Sequence, residues 1–60
     1  MTKEKMKELA RAYINAETVF VDHAKARGIL EAVRILIGEE EYQNEFLPLM
    51  REVHKEEYKN

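Results

Sequence analysis

Between Ile29 and Ile37 seven of nine residues are apolar, and only Glu31 and Arg34 interrupt them. A helix packed on one side needs an apolar arc of somewhat more than about 100°, whereas this segment is apolar around most of its circumference. In a chain of 60 residues such a segment is hard to clothe, because a domain of this size buries only about 60% of the surface its unfolded chain exposes. Two short flanking helices leave part of it bare. The sequence therefore predicts that a second copy of the chain covers the remainder, with Ile29, Leu30, Val33, Leu36 and Ile37 as the dimer interface of a helical bundle. The competing arrangement is a three-helix monomer in which the outer helices wrap the middle one.

Composition narrows the choice. The chain has no cysteine, which removes disulfides and thiolate zinc sites and leaves oligomerisation as the remaining stabilising device for a small domain. Leu, Ile, Val and Phe make up 15 of the 60 residues and the net charge is only −2, a balance that favours folding over disorder. Residues Met1 to Lys5 lead into a charged helix and not into the apolar core of a secretory signal. The nine-residue apolar run is too short to cross a bilayer. The expectation is a cytoplasmic protein with no membrane partner, built as one small domain over residues 1–60.

Two glycines and one proline are the only strong punctuation, and they divide an all-α chain into two or three helices spanning about 3–26, 29–37 and 39–58. Thr2 can cap the first, with Glu4 complementing the positive helix end. Met6, Leu9, Tyr13, Ala16 and Phe20 recur at steps of three and four, widened by Ala10, Ile14 and Val21 into an amphipathic stripe. The sequence Lys25-Ala26-Arg27-Gly28-Ile29 reads as a helix end, with cations in the last turn and glycine at the left-handed position. Asp22 offers a competing break, since it could cap a helix from His23 to Ile37; the break at Gly28 is the preferred reading. Gly38 ends the second helix by the same logic. In the third, Tyr42, Phe46, Leu49 and Val53 form the apolar stripe, and Pro48 predicts a kink or two short helices meeting near Leu47. The polar end from His54 onward is expected to fray.

Charge is uneven along the chain. Residues 1–12 hold four cations against two glutamates, residues 13–38 balance, and residues 39–60 hold seven glutamates against three cations. The acidic third helix, with Glu39, Glu40, Glu41 and Glu45 as its patch, could steer association with a basic partner. The same distribution makes direct nucleic-acid binding a poor fit, because a helix-turn-helix module needs a basic recognition helix. Catalytic chemistry is thinly supplied. Serine and cysteine are absent, which excludes them as nucleophiles. His23 and His54 lack a second ligand at helical metal-binding spacing, and Glu31 beside Arg34 is a salt-linked helix edge. The cluster Phe46, Leu47, Leu49 and Met50 around Pro48 is the candidate docking surface for a partner.

In general type the chain resembles the short, acidic, cysteine-free helical proteins encoded by phages and mobile elements, a group that includes inhibitors of host enzymes and dimeric anti-defence proteins. The likeness rests on size, on the Lys/Glu-rich ends and on the crowded run from Gly28 to Gly38, and it carries over no functional residue. What it implies is a homodimeric interaction module that binds and inhibits or regulates a larger protein, without a cofactor and without enzymatic activity. The alternative is a small DNA-associated transcriptional regulator.

Overall fold

A computed structural model of the chain describes residues 1–58, and among these every regular element is helical. Helix α1 runs Lys3–Thr18 and opens as the sequence predicts, with the Lys5 N–H donating to Thr2 Oγ1 at 3.2 Å. It stops eight residues short of the expected end. The run Thr18-Val19-Phe20-Val21 is β-branched and aromatic, which disfavours helix, and the Thr18 hydroxyl donates to the Ile14 carbonyl at 2.7 Å. The Val19 and Phe20 N–H groups both donate to the Asn15 carbonyl, and the Asp22 N–H reaches back to the carbonyl of Ala16 at 2.7 Å. Val21 makes the reversal in the left-handed region, with φ 50°. That conformation costs a residue with a branched Cβ about 1–2 kcal/mol.

Helix α2 spans His23–Ile37, and its start corrects the break expected at Gly28. Asp22 caps it, accepting from the Lys25 N–H at 3.1 Å. This satisfies an otherwise orphaned donor of the first turn, while Gly28 lies in mid-helix with open space where a Cβ would be. A glycine there weakens a helix without ending it. Gly38 closes α2 as predicted, at φ 90° and with its N–H donating to the Arg34 carbonyl at 2.9 Å. Its φ of 90° and ψ of 158° belong to a region open to glycine and strained for other residues.

The third helix, α3, covers residues 39–57 without a break. Its first turn, Glu39–Glu41, is regular, the next, Tyr42–Phe46, is a π turn in which the Leu47 N–H donates to the Tyr42 carbonyl, and Leu47–Glu57 returns to α geometry. Proline lacks an N–H and its ring would clash with a carbonyl one α turn earlier. The wide turn directly before Pro48 supplies the room, so the two short helices expected to meet near Leu47 are one helix with a local bulge. The end does not fray through Glu57. Arg11 Nε sits 3.0 Å from both carboxylate oxygens of Glu57, and the Tyr58 hydroxyl donates to Asn15 Oδ1 at 2.7 Å. Both contacts pin the end of α3 to α1. The fraying expected beyond Tyr58 lies outside the described residues.

Helix α1 lies between the other two, against α2 on one side and the Leu47–Glu57 part of α3 on the other. Met6, Ala10 and Ile14 from α1, Val33 from α2, and Tyr42, Phe46, Leu49 and Val53 from α3 form a single buried cluster. The Tyr42 and Phe46 rings stack within it at 5.7 Å. No polar or charged residue is buried among the described residues. The radius of gyration, 10.9 Å, is close to the roughly 10.4 Å of a compact chain of this length. One chain therefore closes a core by itself, which the crowded Ile29–Ile37 run did not suggest.

Candidate functional site

The cap at Asp22 sets the phase of α2 and decides which of its side chains face outward. Counted from His23, the positions Ala26, Ile29, Leu30, Val33 and Ile37 follow the three-and-four spacing of an inward stripe. Val33 is 0% exposed and Ala26 is fully buried, while Ile29, Leu30 and Ile37 are half-buried against the core cluster. Of the five residues expected at a dimer interface, four thus pack inside their own chain, and only Leu36 projects, at 71% exposed. The physical reason is that the run from Ile29 to Ile37 is clothed on one side by α1 and α3, so its inner apolar residues are satisfied within the monomer.

The outward side carries the unexpected feature. Ile35 is the most exposed large apolar residue among the described residues, at 79%, followed by Leu36 and then by Phe20 at 69% beside the exposed Val19 and Val21. By spacing Phe20 and Val21 belong to an inward stripe of a long first helix; because α1 ends at Thr18 they stand on the interhelical loop instead. The Lys25 ammonium lies 5.9 Å from the Phe20 ring centre, a cation–π contact that ties this loop to the outer flank of α2. The signal that could have located the face is the pairing of Asp22 with the small residues Ala24, Gly28 and Ala32, which leaves the outer surface of a helix starting at His23 without bulk until Ile35.

The proposed docking cluster is placed differently from its expectation. Phe46 is 0% exposed and Leu49 is buried, and Leu47 and Met50 are half-buried against the same core. Phe46, Leu49 and Val53 share one face at three-and-four spacing, and that face is the one packed on α1 and α2, which makes the residues around Pro48 core and not surface. Beside them Met50 contributes, with Tyr13, Ile14, Arg51 and His54, to a shallow apolar groove of about 250 Å³ between α1 and α3. The Tyr13 hydroxyl is pushed above its usual pKa, chiefly by burial, with smaller contributions from Glu17 and Tyr42.

The acidic patch is split. Glu39 accepts from Gln43 Nε2 at 2.8 Å and sits 3.2 Å from Arg34 Nε, so it ties α3 to α2 across Gly38. Glu40, Glu41 and Glu45 stay together, lining a shallow depression with Met6 and Asn44. Of the cations of α1, Lys3 and Lys7 share a cleft with Glu52 and Glu56 of α3, Arg11 is engaged by Glu57, and Lys5 lies 3.7 Å from Glu8 of its own helix. His23 Nδ1 lies 2.9 Å from a Glu17 carboxylate oxygen, joining the end of α1 to the start of α2. Among the described residues no three His, Cys, Asp or Glu side chains converge where a metal ion could be held, and no helix is long and apolar enough to cross a membrane. Comparison with known protein families, with characterised proteins and with solved structures finds no match to this chain.

Proposed function

We propose that this chain is a homodimeric helical interaction module that binds a larger protein and inhibits or regulates it, with no chemistry of its own. The observation that carries this reading is the exposed apolar surface at both ends of α2, Val19, Phe20 and Val21 before it and Ile35 and Leu36 near its end, on a chain whose other bulky apolar side chains, Met1 apart, pack in or against the core. Clustered exposed apolar side chains of this kind mark sites of protein interaction. The grooves that do exist are shallow, and catalytic groups need an enclosed site to perturb their ionisation. Likeness in general type to the small inhibitors of phages and mobile elements supports the same class and leaves the target to experiment.

Binding of DNA gains little support, because Lys3, Lys7 and Arg11 of α1 lie beside glutamates of α3 and Lys5 beside Glu8, so that each cation has an acid next to it and is poorly placed to neutralise phosphates. The test pairs the wild-type chain with Ile35→Glu as affinity baits in cytoplasmic extract, followed by titration of the recovered protein with purified chain. A stoichiometric partner recovered with the wild-type chain supports the reading, and its loss with Ile35→Glu, a change expected to split the homodimer, would make the dimer the form that binds it. Salt-dependent binding to random duplex DNA, with no protein recovered, would replace it by the regulator alternative.

A further inference from the structure

The outward face of α2 reads nearly the same in both directions from Gly28. At about 100° per residue, Ala24, Gly28, Ala32 and Ile35 fall within one arc of about 80°, and all four are exposed. Ala24 and Ala32 stand four residues to either side of Gly28, Val21 and Ile35 seven, and Phe20 and Leu36 eight. Small side chains occupy the middle and bulky apolar ones both ends. Lys25, the residue beneath the Phe20 ring, flanks the same face, so the loop and the helix form one surface.

We propose that this face is where two copies of the chain meet, with their α2 helices antiparallel across a two-fold axis at Gly28. The proposal rests on the homodimeric reading above and assigns its surface and register. A two-fold interface must be complementary to itself, and reversal about Gly28 sets Ala24 against Ala32 of the second copy and brings Ile35, near one end of α2, toward the loop that holds Phe20 and Val21 at the other end of the second copy's helix. Nothing lies within 4 Å of the place a Gly28 Cβ would take, so two helices crossing there can approach to the lower end of the usual 8–10 Å range. On one flank Arg27 comes beside Glu31 of the second copy, and the symmetry repeats that opposite-charge pair. The large apolar side chains at the two ends of the face, Phe20 and Val21 at one and Ile35 and Leu36 at the other, are each 64–79% exposed, the kind of bulky apolar side chain that interface cores cover. Val21 fits the same picture: a solvent-exposed valine held in a left-handed conformation is a strain that contact with a partner offsets.

Sedimentation of the purified full chain is the first measurement, and the expected species has twice the 7.1 kDa chain mass. Ile35→Glu replaces an exposed side chain, so helical content by circular dichroism stays unchanged while the dimer dissociation constant rises about a hundredfold or more. Because the chain is free of cysteine, a single introduced thiol reports register. Gly28→Cys is expected to oxidise to a covalent dimer, which requires Cα atoms about 4.4–6.8 Å apart. A mixture of Ala24→Cys and Ala32→Cys chains is expected to cross-link to each other in preference to themselves; the reverse preference means parallel helices and overturns the register. A dimer that survives Ile35→Glu and fails to cross-link through Gly28→Cys overturns the face and leaves the homodimer standing. A wild-type chain that stays monomeric at several hundred micromolar overturns both, including the case in which Ile35→Glu disrupts binding to a different, larger protein.

Discussion

Replacing Gly28 with alanine acts in opposite directions on the folded monomer and on its self-association. Gly28 is exposed, lies in the interior of α2, and a Cβ added there meets nothing within 4 Å. The substitution therefore leaves packing within the chain untouched and acts through the backbone. Alanine is favoured over glycine in a helix interior by about 0.8–1 kcal/mol, partly because glycine has more freedom to lose on folding. For a domain of this size 1 kcal/mol corresponds to a rise of roughly 4–8 °C in melting temperature, or about 1 M in the urea midpoint if the slope is near 1 kcal/mol/M. The assay is urea unfolding followed by circular dichroism at a chain concentration low enough for sedimentation to show monomer. At high concentration the added methyl at the crossing point holds the two α2 helices apart, so the dissociation constant rises. No gain, or a loss, of stability in the dilute sample would refute the reasoning, since it would mean that Gly28 occupies a conformation or contact other than the open helix interior.

Three further perturbations separate strain, packing and ionisation. Val21→Gly releases the left-handed valine and is expected to stabilise the monomer by roughly 0.5–1 kcal/mol after the entropy of glycine is counted, read as a melting temperature a few degrees higher. Phe46→Ala empties the centre of the core, where the side chain is fully buried. The usual cost of about 3–5 kcal/mol matches the whole stability of a chain this small, so its circular dichroism should be that of an unfolded chain at 25 °C. The raised pKa of Tyr13 means that the fold favours the protonated phenol. Its stabilising contribution is complete below about pH 10, the unfolded value, and is lost as pH rises through the higher folded value. Denaturation midpoints measured from pH 8 to pH 12 should therefore fall less steeply for Tyr13→Phe than for wild type.

Local chemistry made much of α1 and α3 legible. Thr2 caps as its hydroxyl suggests, Gly38 ends α2 where its freedom is needed, and the stripe Tyr42, Phe46, Leu49 and Val53 packs inward as its spacing implies. In the middle of the chain two helix-end signals compete, and the sequence alone does not rank them. Gly28 preceded by cations looks like a helix terminus, yet Asp22 supplies a hydrogen bond to a first-turn N–H, and the β-branched run before it has weak helix propensity. Placing the break six residues late carried Phe20 and Val21 inward and turned the apolar run from Ile29 to Ile37 into an apparent surface. The exposed face was illegible for the same reason, since Ile35 and Leu36 differ from Val33 only in the phase of the helix. Around Pro48 the proline was seen but its accommodation was not, because a π turn leaves no mark in composition.

The π turn also gives α3 a tolerance of length that neither neighbour shares. It stores one residue more than a regular helix needs, immediately ahead of the proline. The Leu47 N–H takes the Tyr42 carbonyl that the residue before it would take in α geometry, so a single-residue deletion in the Gln43-Asn44-Glu45 stretch closes the bulge to ordinary helix and leaves Leu49 and Val53 in the core and Glu57 and Tyr58 beside Arg11 and Asn15. The cost falls on Pro48, whose ring then meets a carbonyl one turn earlier. The same deletion in the regular turns of α1, where no bulge absorbs it, would rotate the side chains beyond it by about 100°.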